Sequence, residues 1–384
     1  APFIVATLSR VFSLTYVPDE AVFLTFGNGL LNSKSVFNIL VPPNFEGFGG
    51  TFWSIVTFAL ALTHGLVAAG KVFGLPTNSF LSLPIEVDSQ YLFGALNNQH
   101  FGYIIAIWMI RLVVAGFLIT FLWALASQVM QLSKARQYFF VAVISLPIFW
   151  WSGKLASPEL IATSLIGISV IQLGRQRILQ SLAFASFAVG FKVSALPATL
   201  TILLIALFSK TGRRFLRTKA NVPLTVGAII FPALICNLYV LLNYENFIKN
   251  ANRVTPKGNL SELIGNVPQK IWDAWTQNSV SWDYVTISGL TYWTGSLLGL
   301  LFLVSLFYLS KKIIAGTIAG LLLVIQSLAL IQANATPYSW YYFPVIAFVV
   351  AYVVSNFQSL PIKREIAVVI IASLITMLNI PTAA

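Results

Sequence analysis

The chain holds 384 residues, 58% of them hydrophobic and 9% charged, with a net charge of +12 at pH 7. A soluble domain carries about 25% charged residues, so this composition excludes a water-soluble globule and assigns an integral membrane protein. One cysteine, Cys236, excludes an internal disulfide; HExxH, CxxC and GxxxxGK[ST] patterns are all absent, which argues against a dedicated zinc site and nucleotide hydrolysis.

Apolar segments fall at about 1–17, 52–73, 101–124, 137–151, 158–173, 178–191, 193–209, 221–243, 286–309, 313–332, 338–356 and 365–380. They are long unbroken runs, so they read as helices and not as the alternating strands of a barrel. A helix alone satisfies its own backbone in lipid. The expected fold class is an all-α polytopic membrane protein, with about 11 transmembrane helices plus outer-face juxtamembrane helices. Residues 1–220 read as one module and 221–384 as a C-terminal set of helices.

Between the spans lie basic connectors: Lys134 and Arg136, Arg175 and Arg177, the run KTGRRFLRTK at 210–219, Lys311 and Lys312, and Lys363 and Arg364. They hold 13 of the 23 basic residues, and the positive-inside rule puts all five connectors in the cytoplasm. Membrane topology therefore accounts for the basic balance, and no nucleic-acid partner is expected. Working outward from these anchors, the outer face receives residues 15–51, 74–100, 152–159, 190–192, 244–285 and 334–340. With both flanks outside, the apolar piece 52–73 reads as an outer-face juxtamembrane or re-entrant helix, a true span being the alternative. Segments 137–151 and 178–191 are short for a bilayer, which predicts tilt or local thinning. On this topology ten of the eleven acids face outside, and function is expected there.

The chemistry-bearing residues follow in chain order. Asp19 and Glu20 stand together in PDEA; they are either a helix-start cap or a functional pair at the membrane surface. Glu46 lies in the same outer loop. His64 and His100 fall on the outer side, as structural histidines or as liners of an acceptor site. Arg111 lies inside a span, where a charge needs a partner, and an acid on a neighbouring helix is expected to supply it. Glu159, in SPEL, is either a cap or a hydrogen-bonding group for a polar ligand. Lys192 sits between two short apolar segments, as a snorkelling cation or an anion ligand, while Lys154, Arg253 and Lys257 occupy loops. Trp53, Trp272, Trp275, Trp282, Trp340 and Tyr341 could stack on sugar rings, although membrane interfaces are rich in such residues anyway.

Four stretches, in order, resemble the GT-C superfamily of membrane glycosyltransferases, in the branch that includes arabinofuranosyltransferase-like and mannosyltransferase-like proteins. The first runs from Asp19–Glu20 through Ala21 to Phe26, Asn28, Val36–Asn38, Glu46–Phe48 and Trp53, and looks like the family's first outer loop. WSGKLASPELIATSLIGISVI looks like its outer turn, with Pro158–Glu159 opening a helix; AFAVGFKVSALPATL looks like a short span ending at a basic corner, here Lys192. PYSWYYFPVIAFVVAY looks like its late aromatic segment, here Tyr341, Tyr342 and Pro344. The branch often has Asp–Asp where this chain has Asp19–Glu20, and arginines where it has Thr25 and Trp340.

The resemblance implies transfer of a sugar from a polyprenyl-phosphate carrier to an acceptor hydroxyl on a glycan, lipid or protein, at the outer or lumenal face of a plasma membrane or its equivalent. It implies that Asp19 is the general base and that Glu20 orients Asp19 or the acceptor. One-step displacement then inverts the anomeric carbon. Lys192 is the expected ligand of the lipid phosphate, with Lys154, Arg253 and Lys257 as weaker candidates. Glu159, Glu46, Tyr341 and His64 are expected to bind substrate. No cofactor is required for a monophosphate leaving group; adjacent Asp19 and Glu20 leave room for Mg²⁺ or Ca²⁺. Two other readings stand beside this one: a non-catalytic membrane subunit of a larger complex, and a lipid-linked glycan transporter. Paired broken helices of an inverted repeat are not visible, which counts against the transporter.

Overall fold

The computed structural model describes residues 11–12, 18–33, 35–40, 50–74, 101–130, 137, 157–242, 244–245 and 343–356. These residues are 90% helical with no strand among them, which is the expected all-α class. In chain order they form α1 Pro18–Asn32, α2 Val36–Leu40, α3 Gly50–Val72, α4 Phe101–Val129, α5 Pro158–Gly174 and α6 Ile178–Phe191. After a 3-10 turn at Val193–Ala195 come α7 Leu196–Phe208, α8 Lys210–Arg217, α9 Asn221–Cys236, α10 Leu238–Leu242 and α11 Phe343–Asn356.

Among the described residues, two helices are long and apolar enough to cross a membrane: Gly50–Val72, and α4 over Ile105–Val129. The 23 residues of α3 reach about 34 Å at 1.5 Å per residue, against a hydrocarbon core of about 30 Å. The re-entrant or juxtamembrane piece expected at 52–73 is thus one uninterrupted helix of spanning length. Its Phe52, Trp53, Val56 and Leu60 are buried, and Phe58, Leu62 and Leu66 are exposed, as on a helix with one protein face and one lipid face. The bent pair α7–α8 makes a third candidate span if its two arms are counted together. The expected total of about 11 spans draws on segments that lie outside the described residues.

The core centres on α5, whose residues from Pro158 to Ile171 are all buried. Helix α5 packs against α4, α6 and α11. Small residues permit the close approach, since interhelical packing in lipid lacks a hydrophobic driving force and depends on contact. A Cβ on Gly167 would lie 2.1 Å from the Phe121 ring of α4, and one on Gly190 would lie 2.5 Å from Cys236 Cβ of α9. The hydroxyl of Ser169 donates to the Ser181 carbonyl at 2.7 Å and ties α5 to α6. Arg175, just past α5, donates to Ser127 Oγ at 3.0 Å near the end of α4. Helices α4 and α5 therefore run side by side in the same direction, while α6 returns antiparallel after the tight turn at Arg175–Arg177.

Candidate functional site

The register between α4 and α5 fixes what meets at the other end of the bundle. Gly167 lies against Phe121. Eight residues earlier on α5, about 12 Å along the axis, stands Glu159; the same step on α4 reaches Val113, beside Arg111. Both buried ion pairs found among the described residues therefore lie within about one helical turn of each other along α4.

The first pair joins α1 to α4. Pro18 opens α1, where a missing N–H is tolerated, and Glu20 follows in the first turn. Arg111 Nε donates to Glu20 Oε1 at 2.9 Å and Nη2 donates to Oε2 at 2.6 Å, a two-pronged arrangement. Glu20 is 1% exposed and Arg111 3% exposed, so each neutralises the other away from water. Arg111 Nη1 also reaches the Val11 carbonyl at 3.4 Å. The acid expected for Arg111 is thus Glu20, and the carboxylate expected to orient Asp19 or the acceptor is engaged with a guanidinium.

The second pair joins the start of α5 to the end of α6. Ser157 caps α5: its Oγ accepts from Glu159 N–H at 3.2 Å and donates to Glu159 Oε2 at 2.5 Å. Glu159 Oε1 faces Lys192 Nζ at 3.0 Å. Lys192 ends α6 in an extended conformation, φ −152° and ψ 125°, which breaks the helix and turns the chain into Val193–Ala195. Lys192 is 8% exposed and Glu159 5% exposed. The cap and the ligand readings of Glu159 are compatible in geometry, because one carboxylate oxygen serves Ser157 and the other Lys192.

Around these pairs several helix ends converge. Phe191 packs edge-on against Phe117 of α4, with centroids 6.1 Å apart. Asn237, at the end of α9, donates from Nδ2 to the Gly190 carbonyl at 3.2 Å. Helix α3 packs against α6 and α9, with the Thr51 side chain of its first turn beside Cys236. Phe23 of α1 meets Phe52 and Trp53 of α3 at 5.1 and 6.0 Å. The starts of α1, α3 and α5 and the ends of α6 and α9 thus gather beside the middle of α4. Helix starts present N–H groups and positive partial charge, which suits an anion.

Of the expected site residues, Glu159 and Lys192 are in direct contact and Glu20 is in the neighbouring pair. Asp19 is the second residue of α1; its side chain lies outside the described residues. Lys154, Glu46, Arg253, Tyr341 and His100 also lie outside them. His64 stands on α3 thirteen residues beyond Thr51, about 20 Å along the helix, and Nε2 has no hydrogen-bond partner among the described residues. No group of three metal-binding side chains occurs among the described residues. Ser157, Thr51 and Asn237 complete the cluster and were not anticipated. For Ser157 the available signal was the Ser-Pro-Glu order of a helix start. Thr51 and Asn237 carry no such signal, because their partners are remote in the chain. No protein family, curated protein or solved structure matches the chain.

Proposed function

We propose that the chain is an inverting glycosyltransferase of GT-C type, a multi-pass protein of about 11 spans acting at the outer face of its membrane. The donor is a sugar on a polyprenyl phosphate and the acceptor is a hydroxyl of a glycan, lipid or protein. One observation carries most of the weight: a buried lysine, Lys192, stands where helix ends converge and is held by Glu159 at 3.0 Å. A cation fixed at such a junction suits a lipid-borne phosphate, and Glu159 supplies the counter-charge while the site is empty of donor.

In this mechanism Asp19 takes the proton of the acceptor hydroxyl as its oxygen bonds to the anomeric carbon. The bond from that carbon to the phosphate oxygen breaks, and its electron pair stays with the departing phosphate. Lys192 meets the charge that develops there, assisted by Lys154 and Arg253. Glu46 and Tyr341 contribute to the sugar and acceptor sites; His64, about 20 Å along α3 from the cluster, is too far to join them. Glu20 acts through Arg111 to fix the start of α1, next in sequence to Asp19, and so serves as a positioning residue.

The test is sugar transfer in liposomes from a panel of polyprenyl-phospho-sugars, with wild type beside Asp19→Asn. Transfer by wild type and its loss, by about 10²-fold or more, in a well-folded Asp19→Asn supports the assignment. Equal transfer by both removes Asp19 as the base. A second reading, a non-catalytic subunit of a membrane assembly, is favoured by the mutual neutralisation of both buried pairs. Absence of transfer from every donor would turn the assignment to that reading.

A further inference from the structure

We infer that the corner formed by Arg177 and α8 binds the acidic headgroups of the surrounding bilayer. Between Glu159 and Glu245 the chain contains no Asp or Glu. Within that stretch Arg177, Arg213, Arg214, Arg217 and Lys219 are exposed. None of them makes an ion pair or side-chain hydrogen bond among the described residues. Their neighbour Arg175 differs, since it donates to Ser127.

The fold brings these cations to one place. Ile178, the first residue of α6, shares a small core with Leu203 and Ala206 of α7, Phe215 of α8, and Ala228 and Ile229 of α9. Arg177 therefore lies over the same core as the arginines of α8. Helix α8 departs from the axis of α7 by 69°. Ser209 makes the corner: it ends α7 and caps α8, its Oγ accepting from Gly212 N–H at 2.9 Å. A Cβ on Gly212 would lie 1.6 Å from the Ala206 carbonyl oxygen, so the corner requires glycine there.

The depth of the corner follows from its flanks. Phe208 before it and Val222 and Leu224 after it are exposed apolar residues of the kind that lipid tails cover. On α8, Phe215 and Leu216 are half-buried while Arg213, Arg214 and Arg217 are exposed. A short helix turned out of a span, apolar toward the protein and basic outward, lies at the boundary of tails and headgroups. Zwitterionic headgroups carry their own cation. Acidic headgroups leave a phosphate charge uncompensated, and arginine matches phosphate with two hydrogen bonds. Five exposed cations that have no ion pair or neighbouring acid among the described residues select the acidic kind.

The experiment uses the full chain in dodecyl maltoside micelles, titrated with phosphatidylglycerol or phosphatidylcholine, with retained lipid counted by native mass spectrometry. Wild type is expected to prefer phosphatidylglycerol by at least about tenfold. R213Q/R214Q/R217Q is expected to lose most of that preference, R213K/R214K/R217K, which keeps the charge but not the paired hydrogen bonds, to lose less, and K71Q, an exposed cation on α3, to leave it unchanged. Equal retention of both lipids by wild type, or an undiminished preference in the glutamine variant, would overturn the inference. Displacement of the lipid by equimolar inorganic phosphate would assign the site to a soluble anion instead. If the glutamine variant does not fold, the salt dependence of wild type decides. A preference that falls as ionic strength rises supports the headgroup site, and a salt-insensitive one rejects it.

Discussion

Two carboxylates govern the buried end of the bundle, and each already has a cationic partner. Removing one member of a buried pair leaves an uncompensated charge, whereas removing both can be nearly neutral. Arg111→Met is therefore expected to destabilise the protein by about 3–5 kcal/mol, and Glu20→Gln with Arg111→Met to recover much of that loss. Thermal unfolding in micelles checks both; equal losses in the single and double variants would show that the Glu20–Arg111 contact adds little. Lys192 separates structure from catalysis. Lys192→Gln is expected to lower kcat by about 10²–10³-fold if the residue meets the leaving phosphate, with Lys192→Arg retaining more. Unchanged turnover in a folded Lys192→Gln would leave Lys192 a structural role, as a partner of Glu159. Arg111's need for a partner was legible from its place inside an apolar run, because a charge there cannot stand alone. The meeting of Glu159 and Lys192 was not legible, because it depends on how α5 and α6 fold back on each other.

At the scale of the helices, α5 is the element least able to change. Polar Thr163 and Ser164 survive inside it because their hydroxyls donate to the Glu159 and Leu160 carbonyls one turn back, at 2.6 and 2.8 Å. Gly167→Leu would drive a side chain into Phe121 and is expected to cost about 1–3 kcal/mol of stability. Gly29→Ala on α1 meets nothing within 4 Å and serves as the control, with little change or a slight gain. Equal unfolding temperatures for the two variants would refute the close packing inferred at Gly167. Most helices described were legible from apolar runs alone, including the shortness of α6 at 178–191. The 52–73 helix was legible too, but charge counting placed both its flanks on one side and favoured a juxtamembrane or re-entrant role over the span that its length allows. The break between α7 and α8 falls where the apolar run ends at 209 and the basic run begins at 210; the helical form of 210–217 and its turn at Ser209 and Gly212 were not legible.

For the molecule as a whole, membrane residence follows from composition and from helices of spanning length. Sugar transfer rests on degenerate motifs, whose meaning depends on side chains brought together from far along the chain. The Glu159–Lys192 pair has one more consequence, for biosynthesis. A charge without a partner opposes partition into lipid, less at helix ends such as those that Glu159 and Lys192 occupy than at the membrane centre. Glu159 emerges from the ribosome well before Lys192, the cation that faces it in the fold. The two helices are thus suited to enter the bilayer as one hairpin, released when the second charge arrives. A ribosome paused between them would hold α5 at the translocation channel, half committed.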